Sequence, residues 1–229
     1  MSSACPVPKA TTLMSMPLAF LKAGSRCANR PDCSVDVVDD ITIDWACDKA
    51  ATEANAVNNT GVLKAQTLEN QQGRIVLLGS PDSGKVNLGG QLDVRGGAGQ
   101  QGGSVTALGQ HVGLFSAQID ASGGLGGGAV LVGGGFQGKN PDLPAASAVY
   151  MSPDSLIRAN ATAQGPGGQV VLWATDSVRA GGQILARGGP QGGAGGMVET
   201  SAHGLNVQGL RVDTQAPQGN PHLMQAFRQ

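Results

Sequence analysis

A chain that repeats itself at a fixed period has few folds open to it, and from about residue 55 this one does. A three-residue unit, [Leu/Ile/Val]-x-[Ala/Val/Thr], recurs at Leu63–Ala65, Leu92–Val94, Ile119–Ala121, Ile157–Ala159, Ile184–Ala186 and Val212–Thr214. Its steps are 29, 27, 38, 27 and 28 residues. The one long step contains Gln137 to Tyr150 (QGKNPDLPAASAVY), a stretch with Pro141 and Pro144 that reads as a loop. A second unit, Gly-x-[Val/Ile], runs in phase with the first at Gly73–Ile75, Gly103–Val105, Gly128–Val130, Gly168–Val170 and Gly196–Val198. Each is followed by period-2 alternation (Ile75, Leu77; Val105, Ala107; Val130, Val132; Val170, Leu172; Val198, Thr200), which is the signal of a half-buried strand. No segment after residue 55 holds helical apolar spacing for three turns without a glycine. A period of about 27 built from short strands and tight turns predicts a solenoid of stacked parallel strands, with a β-sandwich carrying Gly-rich loops as the alternative.

Composition supports the solenoid and removes other classes. Glycine makes up 37 of the 229 residues, more than double the roughly 7 per cent of ordinary domains. There is no G-X-Y period, so the chain is not collagen-like. The glycines are read as corner residues that allow φ > 0 between strands. Aromatics are 3% and charged residues 14%, with a net charge of −1. So sparse a charge gives no electrostatic footprint for nucleic acid or for an anionic membrane. Of the glycines only Gly24 lies in the first 50 residues, whereas all four cysteines (Cys5, Cys27, Cys33, Cys47) do. That stretch is therefore foreign to the repeat. None of its cysteine spacings is C-x-x-C, so no zinc or redox motif is indicated. Leu13–Leu21, interrupted by Pro17, is a poor secretion signal and far short of a membrane span.

Several motifs suggest chemistry and lack the rest of what it needs. Gly79-SPDS-Gly84-Lys85 matches G-x4-G-K, but Val86 stands where a P-loop has Ser or Thr, and strand and turn follow instead of a helix. Gly97-Ala-Gly99-Gln-Gln-Gly102 matches G-x-G-x-x-G, again with no helix after it. The GG-rich turns lack the aspartate of calcium β-rolls. His111, His203 and His222 share no ligand spacing. Asp93 and Asp120 hold the same place in successive repeats, and with Arg95 or Arg158 they define the enzymatic alternative, a polysaccharide-active β-helix using paired carboxylates. The next positions in that column, Arg158 and Leu185, interrupt it. No cofactor and no metal are expected.

Residues 126–161 (GGGAVLVGGGFQGKNPDLPAASAVYMSPDSLIRANA) and 165–209 (GPGGQVVLWATDSVRAGGQILARGGPQGGAGGMVETSAHGLNVQG) resemble filamentous-haemagglutinin-like adhesins. The shared features are G-G-x-V-x-[IV]-G-G-x-[FY]-Q-G-K-N-P at Gly127–Pro141, the tyrosine at Tyr150, and G-G-x-V-x-[VL]-W at Gly167–Trp173. They continue with x-G-x-I-x-A-[RS]-G-G ending at Gly189 and G-G-x-V-E-[TV]-S at Gly195–Ser201. The resemblance implies an all-β fold, a right-handed parallel β-helix (solenoid) with an irregular or poorly ordered N-terminal segment. It implies a secreted or cell-surface exoprotein exported with an outer-membrane two-partner transporter, acting as a non-enzymatic structural or adhesin-like rod toward a host-surface or cell-surface ligand. The expected division is an atypical Cys-containing segment over 1–54, a β-helix over 55–215 and a tail over 216–229. The short chain with a foreign N-terminus reads as a fragment of a longer exoprotein that is not exported by itself. The expected contact site is the loop projecting from the rod: Gln137, Gly138, Lys139, Asn140 and Pro141, with Tyr150.

Overall fold

The computed structural model describes residues 21–22, 34–35, 40–44, 56–65, 73–217 and 225–228. They form an all-β parallel solenoid of about five turns in which the single helical element is the 3-10 turn Phe136–Gly138. Each coil contributes strands to three faces. Coil 1 has Arg74–Leu78, Lys85–Leu88 and Gln91–Asp93; coil 2 has Ser104–Leu108, His111–Leu114 and Gln118–Asp120. Coil 3 has Ala129–Val132, Ala148–Met151 and Leu156–Arg158. Coil 4 has Gln169–Trp173 and the long Ser177–Leu185, which serves the second and third faces; coil 5 has Met197–Ala202 and Gly204–Asp213. Parallel pairing reaches upstream to 40–44, 56–59 and 62–64, and downstream to Gln225–Arg228. The four cysteines and most of the expected N-terminal segment lie outside the described residues.

The register reproduces both sequence repeats. Leu63, Leu92, Ile119, Ile157, Ile184 and Val212 are consecutive rungs of one ladder. Ile75, Val105, Val130, Val170 and Val198 are rungs of another. Alternation buries one side of each strand, because neighbouring Cβ atoms point to opposite faces. Ile75, Leu77, Val86, Leu88 and Leu92 of coil 1 are 0% exposed, and their counterparts up to coil 4 form one continuous apolar column. Aliphatic side chains fill this narrow interior. Thr200 interrupts the column: it pairs in register with Leu172, is fully buried, and its Oγ1 finds no hydrogen-bond partner among the described residues.

A single hydrogen bond ties the two repeats together. The last carbonyl of the first unit accepts the glycine N–H of the second: Val94 from Gly103, Ala121 from Gly128, Ala159 from Gly168 and Ala186 from Gly196, each at 2.7 Å. It closes the corner between the third and first faces in four successive coils. These glycines differ from the expectation. None of the four has a left-handed φ. They are required by close approach, since a Cβ on Gly128 would sit on the carbonyl oxygen of Gly103 in the coil below, and Gly103, Gly168 and Gly196 meet the same obstacle. Positive φ is confined to other positions, such as Gly90, Gly133 and Gly182.

Both nucleotide-like patterns fall in solenoid corners. Residues 79–84 form a turn that runs directly into the strand Lys85–Leu88, and 97–102 form the turn before Ser104–Leu108, so neither opens a helix.

Candidate functional site

The corner between the first and second faces is short in coil 2, where only Gly109 and Gln110 separate the strands. In coil 3 it carries residues 133–147. The base is pinned at both ends: Gly133 N–H donates to Ala107 O at 2.8 Å, and Ala146 N–H donates to Gly133 O at 2.6 Å. Ser147 N–H reaches Gln110 O of coil 2 at 2.8 Å, and Thr175 N–H of coil 4 reaches Ala146 O at 2.8 Å. Gly133 adopts φ +79°, and a side chain there would collide with Trp173 O and the Val149 methyl. These constraints place the segment over the outer face of the first sheet.

That outer face is apolar at this point. Val171 is 0% exposed and Trp173 is 7% exposed, although both point away from the core. Trp173 packs under Gly134 and Gly138, where any Cβ would strike its indole ring. The indole Nε1 has no hydrogen-bond partner among the described residues. One coil further on, Glu199 is fully buried. Its two carboxylate oxygens accept the Gln137 N–H at 3.0 and 3.2 Å, and one also accepts the Ser201 hydroxyl at 2.8 Å. Gln137 holds φ +55°, an uncommon conformation for a residue other than glycine. Beside this anchor lies an open cleft of about 470 Å³, lined by Leu131, Phe136, Pro141 and Leu143 with Lys139, Asn140 and Gln169 among its polar groups.

The expected contact residues divide accordingly. Gln137 and Gly138 belong to the anchored part, over Glu199 and Trp173. Lys139, Asn140 and Pro141 form the exposed tip with Asp142, whose N–H donates to Asn140 Oδ1 at 3.0 Å. Thus the segment projects only at its tip, because its first half is folded down onto the sheet. Tyr150 is elsewhere: it lies on the second face, its ring 5.3 Å from that of Phe115, which is 48% exposed. Sequence reasoning missed Glu199, Trp173 and the cleft. The available signal was positional. Both residues occupy outward places in the alternation, in the two coils that follow the long insertion, where an ordinary outward residue would be solvated.

The carboxylates of the enzymatic alternative brace corners. Asp93 and Asp120 are neighbouring rungs, and Asp120 pairs in register with Arg158. Asp93, 2% exposed, accepts Arg95 Nε at 2.9 Å and Nη2 at 2.7 Å, as well as the Arg95 backbone N–H at 3.1 Å. Burial pushes its carboxyl up, but the Arg95 hydrogen bonds and charge, helped by Lys64, outweigh this and hold it below the ordinary aspartate value. Asp120 caps the Ser122 N–H at 3.0 Å and Asp213 caps the Gln215 N–H at 3.1 Å in the same manner. Arg187 hydrogen-bonds Asp213 at 2.8 Å through Nε and lowers its carboxyl likewise. Among the described residues no group of three His, Cys, Asp or Glu side chains could hold a metal ion, and no helix is long and apolar enough to cross a membrane.

No family model matches the sequence, and no curated protein does. Among solved structures, the chain is similar to the HMW1 secretion domain from Haemophilus influenzae, with 27% identity and a TM-score of 0.62. The match covers 74% of this chain and 44% of that one, so this chain spans less than half the length of the structure it matches.

Proposed function

Taking as premise that the chain carries a filamentous-haemagglutinin-like β-helix region, we propose that it serves as a non-enzymatic, adhesin-like rod of a surface exoprotein, exported with an outer-membrane two-partner transporter. The likeness to a secretion domain supports the transporter and the surface location. The contact element is the tip Lys139–Asp142, because it is exposed while its base is pinned to three coils. Loops positioned by a rigid scaffold are where binding residues concentrate.

The experiment compares the wild-type chain with a variant carrying Lys139→Ala, Asn140→Ala and Pro141→Ala in binding to host-cell surfaces. The tip substitutions are expected to reduce binding by about tenfold, in line with the loss of one or two contact residues, and to leave the circular dichroism spectrum unchanged. Equal binding by both proteins removes the tip from the reading. Transport is read separately, as release of the chain into the medium with and without a co-expressed two-partner transporter. Release that is the same in both removes the export partner.

A further inference from the structure

In a solenoid each coil normally contacts only its neighbours, so stability is a sum of nearest-neighbour terms. The segment 133–147 breaks that rule. It leaves coil 3, crosses Trp173 of coil 4 and ends its first half on Glu199 of coil 5. The acceptor is 62 residues further along the chain than the donor. It is also fully buried, so the Gln137 N–H and the Glu199 carboxylate shield one another from water.

We propose that residues 133–147 are a strap that locks coils 3, 4 and 5 into one cooperative unit and closes only once coil 5 is in place. Three observations require one another. Without the strap, Trp173 and Val171 are an apolar patch on the outside of the sheet. Without coil 5, the Gln137 N–H loses its acceptor, and the left-handed backbone at Gln137 loses what holds it there. Without Trp173, Gly134 and Gly138 lose the ring that lies against them. The segment thus orders after coil 5, and the strap stands whether or not its tip binds anything.

The test is hydrogen exchange read by mass spectrometry on the full chain, in a double-mutant cycle. One arm is Glu199→Ala. The other replaces residues 134–145 with a Gly-Ser turn, which shortens the corner toward that of coil 2. Glu199→Ala is expected to speed exchange in 134–143 by about 10- to 100-fold, the effect of losing a buried hydrogen bond to a charged group. Exchange at Ile75 and Val105 in coils 1 and 2 stays as in the wild type. Removing the strap is expected to speed exchange at Val198–Ser201, in a coil whose sequence is untouched. Read at Gln169–Trp173, which both variants keep, Glu199→Ala then adds little on the strapless background, because the two changes break one interaction. The proposal is overturned if 134–143 keeps its protection in Glu199→Ala, if all coils lose protection equally, or if the two changes are additive. Should Glu199→Ala fail to fold, the strapless chain alone decides the matter by the protection of Val198–Ser201.

Discussion

Gly128 and Gly99 show how differently the same residue type is used along this chain. A methyl group on Gly128 would occupy the space of the Gly103 carbonyl, which is backbone and cannot give way. At Gly99 nothing lies within 4 Å. Gly128→Ala is therefore expected to destabilise the fold by at least about 3 kcal/mol, the upper range for overpacking. Gly99→Ala should stay within about 0.5 kcal/mol of wild type; urea denaturation followed by circular dichroism measures both. The buried hydroxyl of Thr200 gives a prediction of opposite sign. Its Oγ1 is desolvated and unpartnered among the described residues, so Thr200→Val should stabilise by about 1 kcal/mol in the same assay. Trp173 separates shape from polarity: its Nε1 makes no hydrogen bond among the described residues, so Trp173→Phe keeps most of the packing, whereas Trp173→Ala should cost about 3 kcal/mol or more. Glycine content was legible as a ban on helix, but its main role was not. Reading φ > 0 into glycine treats each one alone, whereas Gly103, Gly128, Gly168 and Gly196 are fixed by the backbone of the coil beneath, which a local reading does not contain.

At the level of strands and corners, the repeat was readable because it is a register. Ile119 pairs with Leu92 and Ile157 simply because the inward column needs an apolar rung at every step. The site was half readable. The tip residues follow from an interruption of the period, but Glu199 and Trp173 become part of the site only when coil 3's insertion folds over coils 4 and 5. That contact is lateral and leaves no periodic trace. The corner braces carry a pH prediction. Arg95 holds the Asp93 carboxyl below its ordinary value, so the pair contributes stability above about pH 4, the unfolded aspartate range. That contribution is lost as pH falls through the folded value. Arg95→Met leaves a desolvated carboxylate without its partner, raises its pKa and should move the acid-unfolding midpoint to higher pH. A far-UV circular dichroism titration showing the same midpoint in both proteins would rule out Arg95 as the cause.

Across the whole molecule, order should fall off toward Gly204–Asp213. Strands Ala129–Val132 and Gln169–Trp173 are paired on both sides. By contrast Gly204–Asp213 pairs only with Ser177–Leu185 among the described residues, and Leu205, Val207, Leu210 and Val212 are only partly buried. Amides at Val130 and Val170 are expected to exchange at least about tenfold more slowly than those of Leu205–Val212. The corner between the first and second faces varies freely, spanning 79–84, 109–110, 133–147, 174–176 and His203 in successive coils. Yet Val112 still meets Val149, and Val132 still meets Leu172. The register of the rungs is the same whatever length of chain passes through that edge. A foreign peptide spliced into this edge would lie outside the paired rungs, which makes the edge an editable margin for display.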